Sequence, residues 1–242
     1  MNVTCPSVFD GPIEIMSMNY HTSTEQQIDD ETVNRYFNGG AGGGTADTVS
    51  MMAHEHNLPA SAARYRLRIE IRAISDWLDA VCASGRVLDV GCGSGTWTAF
   101  FAQRFGSVIG IEQSAAMLVA AEAMLRGRSN VKLLNQDVRE PLPPGPFDLV
   151  FLGGICMYLS DADTIALVQA VVGRLGDRGR VVLRESTVAK GYEHSEGEYR
   201  AIYRSVEVYR TLFREAGLSC VETRRNYAYT YMETAVELVE LR

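Results

Sequence analysis

The sequence predicts an α/β protein: a doubly wound, mostly parallel seven-stranded sheet with an antiparallel C-terminal strand, capped by an N-terminal helical lid. Three observations predict it. From Arg86 onward, short apolar runs alternate with amphipathic helical patterns, which implies a parallel sheet covered on both faces. One apolar run, Val87-Leu88-Asp89-Val90, opens directly into the glycine-rich turn Gly91-Cys92-Gly93-Ser94-Gly95 and then a helix. The last two runs, Leu218 to Val221 and Tyr227 to Leu241, read as closing strands that can pair as a hairpin.

The elements follow in order. Residues 1–28 are polar and irregular, with Pro6 and Pro12, and read as a mobile tail. Residues 29–84 read as a helical lid or substrate cap. Within it, Asp29 to Phe37 forms a short helix, and the five glycines between Asn38 and Thr45 form a hinge that no helix or strand interior would tolerate. Ala60 to Val81 is an amphipathic helix with Leu67, Ile71, Ile74, Leu78 and Val81 on one face. Residues 85–242 form the main domain. Its expected strands are Val87 to Val90, Val108 to Ile111, Val131 to Leu134, Phe147 to Leu152 and Arg180 to Leu183. The helices between them are Thr96 to Phe105, Ser114 to Arg126 and Ala162 to Leu175. Tyr199 to Ala216 reads as a last helix, ended by Gly217.

Composition narrows the function. The 242 residues carry 23 basic and 30 acidic side chains, a net charge of −7. Such a chain lacks the basic surface that non-specific nucleic-acid or anionic-membrane binding needs. The absence of an 18-residue apolar run argues against a membrane span, and the N-terminus has no signal-peptide pattern. Five scattered cysteines without a Cys-x-x-Cys pair fit reduced thiols in a cytoplasm, not a disulfide framework or a zinc site. His54-Glu55-His56 is no metal motif, since helical neighbours two apart diverge and no third ligand accompanies them.

The glycine turn carries the chemistry. Glycines at a strand-to-helix turn let the backbone bend and let a ligand approach with no Cβ in the way, and the helix N-terminus offers unpaired N–H donors. The dinucleotide fingerprint needs a third glycine at position 96, where this chain has Thr96. Val108-Ile109-Gly110-Ile111-Glu112 is a second strand ending in an acid, 19 residues after Gly93, where a carboxylate can accept from ribose hydroxyls. Val131 to Asn135 leads to a third acid, Asp137.

The spacing Gly-x-Gly-x-Gly after an acid, followed by acids at the next two strand ends, resembles class I S-adenosylmethionine-dependent methyltransferases. The resemblance covers roughly Arg86 to Leu218. It implies a Rossmann-like fold with S-adenosylmethionine as cofactor. Asp89, Gly91, Gly93 and Gly95 would hold the methionine end, Glu112 the ribose, and Gln113, Asp137 and Val138 the adenine. Leu152 would meet the cofactor at the fourth strand.

The segment Arg184-Glu185-Ser186-Thr187 with Tyr209-Arg210-x-Leu212-Phe213-x-x-Ala216-Gly217-Leu218 looks like bacterial small-molecule methyltransferases of specialised metabolism, and less closely like protein N-terminal amine methyltransferases. The expected reaction is methyl transfer to a nitrogen, oxygen or carbon nucleophile of a small molecule, by a monomer or homodimer. The alternatives are a peptide or protein N-terminal amine as acceptor, a nicotinamide-dependent oxidoreductase, and a non-catalytic binding module. Glu185, at the end of the fifth strand, and His194, in the insertion after it, are the candidate bases. Tyr36, Phe37, Met157, Tyr158, Tyr199 and Tyr203 are the candidate substrate contacts.

Overall fold

The computed structural model describes residues 28–39, 60–195, 200–229 and 232–241. Among these, seven strands build the main sheet: β1 (Arg86–Val90), β2 (Ser107–Glu112), β3 (Val131–Asn135), β4 (Phe147–Gly153), β5 (Leu175–Val188), β8 (Leu218–Tyr229) and β9 (Met232–Leu241). Their order is β3-β2-β1-β4-β5-β9-β8. Pairing is parallel from β3 to β5, and β9 runs against both β5 and β8. The expected doubly wound sheet with one antiparallel C-terminal strand is therefore present.

Two further strands, β6 (Tyr192–Ser195) and β7 (Ala201–Ser205), form an antiparallel hairpin. The hairpin corrects the helix expected over Tyr199 to Ala216. All five residues of β7 are buried, and the helix α7 (Val206–Glu215) starts only at Ser205, whose hydroxyl accepts from Val208 N. β7 pairs in parallel with Thr187 and Val188, past the last β4 partner of β5, Arg184 opposite Gly153. The hairpin thus continues the edge of β5 that β4 leaves uncovered.

Both faces of the sheet are covered. On one, α3 (Ser75–Asp79) and α4 (Thr96–Arg104) pack Ile74, Trp77, Leu78 and Phe101 against Val87, Leu149, Phe151 and Val182. On the other, α6 (Asp161–Val172) and α7 bring Leu167, Val168, Tyr209 and Phe213 onto Leu88, Val150, Leu152 and Leu183. The near-continuous burial of β1 and β4 is what a two-sided sheet demands. The long helix expected over Ala60 to Val81 is divided into α2 (Ala60–Ala73) and α3. The ladder changes at Ile74, whose N–H bonds to Ile71 O, three residues back, and Ile74 itself is buried in the core.

Serine caps start three helices. Ser114, Ser160 and Ser205 each accept from a backbone N–H three residues on, beginning α5 (Ala115–Met124), α6 and α7. The helix α1 (Asp30–Gly39) lies against α5. Ser114 Oγ donates to Phe37 O at 3.1 Å, and Asp30 pairs with Arg139. The glycine hinge and the His54-Glu55-His56 segment lie outside the described residues. No described helix is long and apolar enough to cross a membrane.

Candidate active site

The chain reverses sharply at the tip of β1. Gly91, Gly93 and Gly95 have φ of 70°, 54° and 85°, a region that side-chain-bearing residues rarely adopt. The turn is tied to the neighbouring strand, because Gly91 N and Cys92 N both donate to Ile111 O. A Cβ on Gly95 would come within 3.0 Å of Ala121, so this glycine also lets α4 approach α5.

Glu112 closes the opposite side of the turn. Its carboxylate accepts from Ser114 N at 2.8 Å and Gly93 N at 3.1 Å. Burial pushes its pKa up, while those backbone N–H groups pull it down. Asp89 is buried beneath the turn, accepting from Thr98 Oγ1 at 2.6 Å. Burial, reinforced by the nearby Glu112 charge and opposed by Thr98, raises its pKa to about 7.

These groups border a cavity that is partly open to solvent. One end is lined by Glu112, Gln113, Met117, Val138 and Arg139, with Asp30, Val33 and Phe37 of α1. Asp89, Gly91, Cys92 and Gly93 line its floor. The other end is lined by Leu67 and Glu70 of α2, Trp97, Phe151, Gly153 and Arg184, while Gly154, Ile155, Tyr158 and Leu159 supply the loop after β4. Concavity, apolar walls and a few convergent polar groups are the attributes of a small-molecule site.

Of the residues expected at the cofactor, Asp89, Gly91, Gly93, Glu112, Gln113 and Val138 line this cavity. Gly95 sits behind the turn as the α4 N-cap. Leu152 faces the core on the α6 side. The Asp137 carboxylate accepts from Arg139 N and Nε at 2.9 and 3.0 Å, beside the cavity wall rather than on it.

Among the expected substrate contacts, Phe37 and Tyr158 reach the cavity and meet edge to face, with ring centroids 5.2 Å apart. Tyr36 is buried against Phe37, and Met157 and Tyr203 belong to a small core with Val33 and Val188. Tyr199 lies outside the described residues. Neither proposed base lines the cavity. His194 is on β6, and Glu185 points to the opposite face of β5 from Arg184, as strand alternation requires. Sequence reasoning missed Glu70, Trp97 and Arg184. Alternation from buried Leu183 places Arg184 on the cavity side, but α2 gives no signal that Glu70 turns inward.

Glu185 instead lies in a buried polar cluster with Arg204 and Tyr209. Its Oε1 accepts from Cys156 N at 2.8 Å, and Oε2 has no donor among the described residues. Burial raises its pKa to about 7, against the pull of Cys156 N and the charges of Arg184 and Arg204. The folded pKa exceeds the unfolded one, so stability falls as pH rises from about 4.5 to about 7 and the full penalty persists above that. Glu185→Gln keeps the neutral shape. It should stabilise the protein by about 3 kcal/mol at pH 8 and by little near pH 4.5. Urea denaturation at the two pH values checks this, and a gap that does not widen with pH contradicts it.

The glycine turn at β1 and the acid at the β2 tip fall within a segment similar to known methyltransferases. Residues 87–179 match the family model described as a methyltransferase domain. Phosphoethanolamine N-methyltransferase 1 of Arabidopsis thaliana is 29% identical over 132 residues, 53% of this chain and 27% of that protein. Trans-aconitate 2-methyltransferase of Azoarcus sp. (strain BH72) is 35% identical over 81 residues, 33% of this chain and 31% of that one. The chain thus spans about a quarter to a third of the curated relatives' length. Magnesium protoporphyrin IX methyltransferase from Synechocystis PCC 6803 shares the fold, with a TM-score of 0.67 at 20% identity over 90% of this chain and 100% of that chain.

Proposed function

We propose that this protein transfers a methyl group from S-adenosylmethionine to a nucleophilic nitrogen, oxygen or carbon atom of a small molecule in specialised metabolism. The observation that carries the reading is the continuity of one cavity: Glu112 and the glycine turn line one part, and a separate wall of Leu67, Trp97, Phe151 and Arg184 lies beyond them. The named activities of the two curated relatives, on phosphoethanolamine and trans-aconitate, support a small-molecule acceptor. The scattered cysteines are in keeping with a cytoplasmic enzyme.

The residues fit the cofactor. Glu112, already oriented by two backbone N–H groups, presents a carboxylate for the ribose hydroxyls. Gln113 and Val138 frame the adenine end, with the lid residues Val33 and Phe37 near them. A Cβ on Gly93 would meet only Met117, at 3.9 Å, so the methionine end can lie against the turn there, near Asp89. When bound, S-adenosylmethionine supplies a methyl already activated by its sulfonium. The protein must then exclude water and hold the acceptor in line with the S–CH₃ bond, and Phe37, Tyr158 and Leu159 contribute apolar walls for that.

The test is incubation of the purified protein with methyl-labelled cofactor and fractionated metabolite pools, alongside calorimetry with S-adenosylhomocysteine. The expected results are micromolar-range binding and label in a small-molecule fraction. Label confined to peptides moves the acceptor class, and stabilisation by NAD without S-adenosylhomocysteine binding overturns the reading.

A further inference from the structure

Arg184 and Glu70 form an ion pair in the wall of the cavity. Arg184 Nε and Nη2 donate to Glu70 Oε1 at 3.0 and 2.6 Å, and each side chain is 4% exposed. The pair joins the tip of β5 to α2. A buried ion pair is a poor stabilising device, because desolvation offsets most of the attraction and apolar residues of like volume hold a fold as well. Here the pair is not enclosed in the core, since both residues border the ligand cavity.

Its position separates it from the nucleoside end. Glu112 is at the tip of β2, and β5 lies three strands further along the sheet, about 14 Å at a spacing of ~4.8 Å. Gly153, beside Arg184 in register, makes room for the Phe151 ring, which a Cβ there would meet at 2.6 Å. Trp97 and Phe151, with ring centroids 4.6 Å apart, form an apolar surface in the wall of the same cavity. A guanidinium presents five N–H donors in a planar fork suited to oxyanions. Glu70 Oε1 takes two of them and thereby sets the orientation of that fork.

We propose that Arg184 is the anion-reading residue of the acceptor side, with Glu70 as its positioning residue, so that the methyl acceptor carries a carboxylate or phosphate group. This rests on the cofactor reading above. An anionic acceptor also suits a site into which a cationic sulfonium is brought, because its charge is drawn towards both the guanidinium and the sulfonium.

The test uses thermal shifts of the full chain saturated with S-adenosylhomocysteine, titrated with malonate or inorganic phosphate at constant ionic strength set by chloride. Wild type should show a saturable rise with at least one of the two, and which one responds distinguishes carboxylate from phosphate. Glu70→Gln keeps the guanidinium and should retain the response. Arg184→Gln should lose it. The double variant E70Q/R184Q leaves no unpaired buried charge and should lose it too, which covers the case in which Arg184→Gln alone fails to fold. A purely structural pair would give E70Q and R184Q the same outcome.

No anion response in wild type beyond chloride overturns the proposal, as does a response that survives in the double variant. A second arm compares S-adenosylhomocysteine with 5′-methylthioadenosine, which lacks the amino-acid tail. If E70Q/R184Q loses tenfold or more in affinity for the first and none for the second, Arg184 reads the cofactor's own carboxylate and the acceptor assignment is overturned. A wild type that binds neither nucleoside defeats the cofactor reading itself.

Discussion

Glu112→Ala should weaken S-adenosylhomocysteine binding roughly 100-fold. Two ribose hydroxyls donating to one carboxylate are each worth about 1.5 kcal/mol or more, and 1.4 kcal/mol is a tenfold change in affinity. The fold should survive. Glu112 sits at a strand tip, and both it and Gly93, one of the two residues whose N–H it engages, line the open cavity where water can take its place. Glu112→Gln is the companion variant, because it keeps the shape and one acceptor oxygen and should fall between the two. Calorimetry on both variants decides the matter. An alanine variant within threefold of wild type removes Glu112 from the ribose.

Arg204→Met should produce the largest loss of stability, about 3–5 kcal/mol. The side chain is fully buried, and three of its nitrogens are used at 2.7 Å: Nε donates to Asp161 Oδ1, Nη1 to Cys156 O and Nη2 to Leu159 O. Methionine fills much of the volume but leaves two carbonyls and a carboxylate without their donors. For a chain of this size the loss corresponds to a fall in Tm of roughly 10 °C. Arg204→Lys should recover little, because one ammonium cannot serve three diverging acceptors. Chemical denaturation is the measurement, and a methionine variant within 1 kcal/mol of wild type would refute the clamp.

The two variants mark the boundary of what the sequence discloses. Glu112 was legible because its information is local: a strand, an acid at its end, and a fixed distance from a glycine turn. The core of the sheet was legible for the same reason, since two-period and 3.6-period burial is written into neighbouring residues. Arg204 was not. Between Tyr199 and Ala216, Ile202, Val206, Tyr209 and Phe213 keep a helical spacing, yet the first part of the segment is a strand because β5 offers it an open edge. That edge is a tertiary fact. The signal that could have divided the segment was Ser205, a good N-cap followed by Glu207 in the first turn.

The site divides in the same way. The acids and glycines at the first two strand tips were placed from their spacing and the family resemblance it carries, whereas Glu185 was assigned to the cleft from its position at a strand end. Whether 184 or 185 faces the cavity depends on one residue of register, and a shift of one reverses every side chain of a strand. Glu70 is on a helix whose inward turn is set by the break at Ile74 and the docking of Trp77 and Leu78. No local pattern encodes that partnership across more than a hundred residues.

The β6–β7 hairpin splices into β5 beyond the reach of β4, and Arg204 fastens it to the loop that begins where β4 ends. The nucleoside half of the cavity makes no use of that junction. A change in the hairpin would therefore reach the cavity through that loop, whose Tyr158 and Leu159 line it, while the residues at the β1 and β2 tips stay as they are.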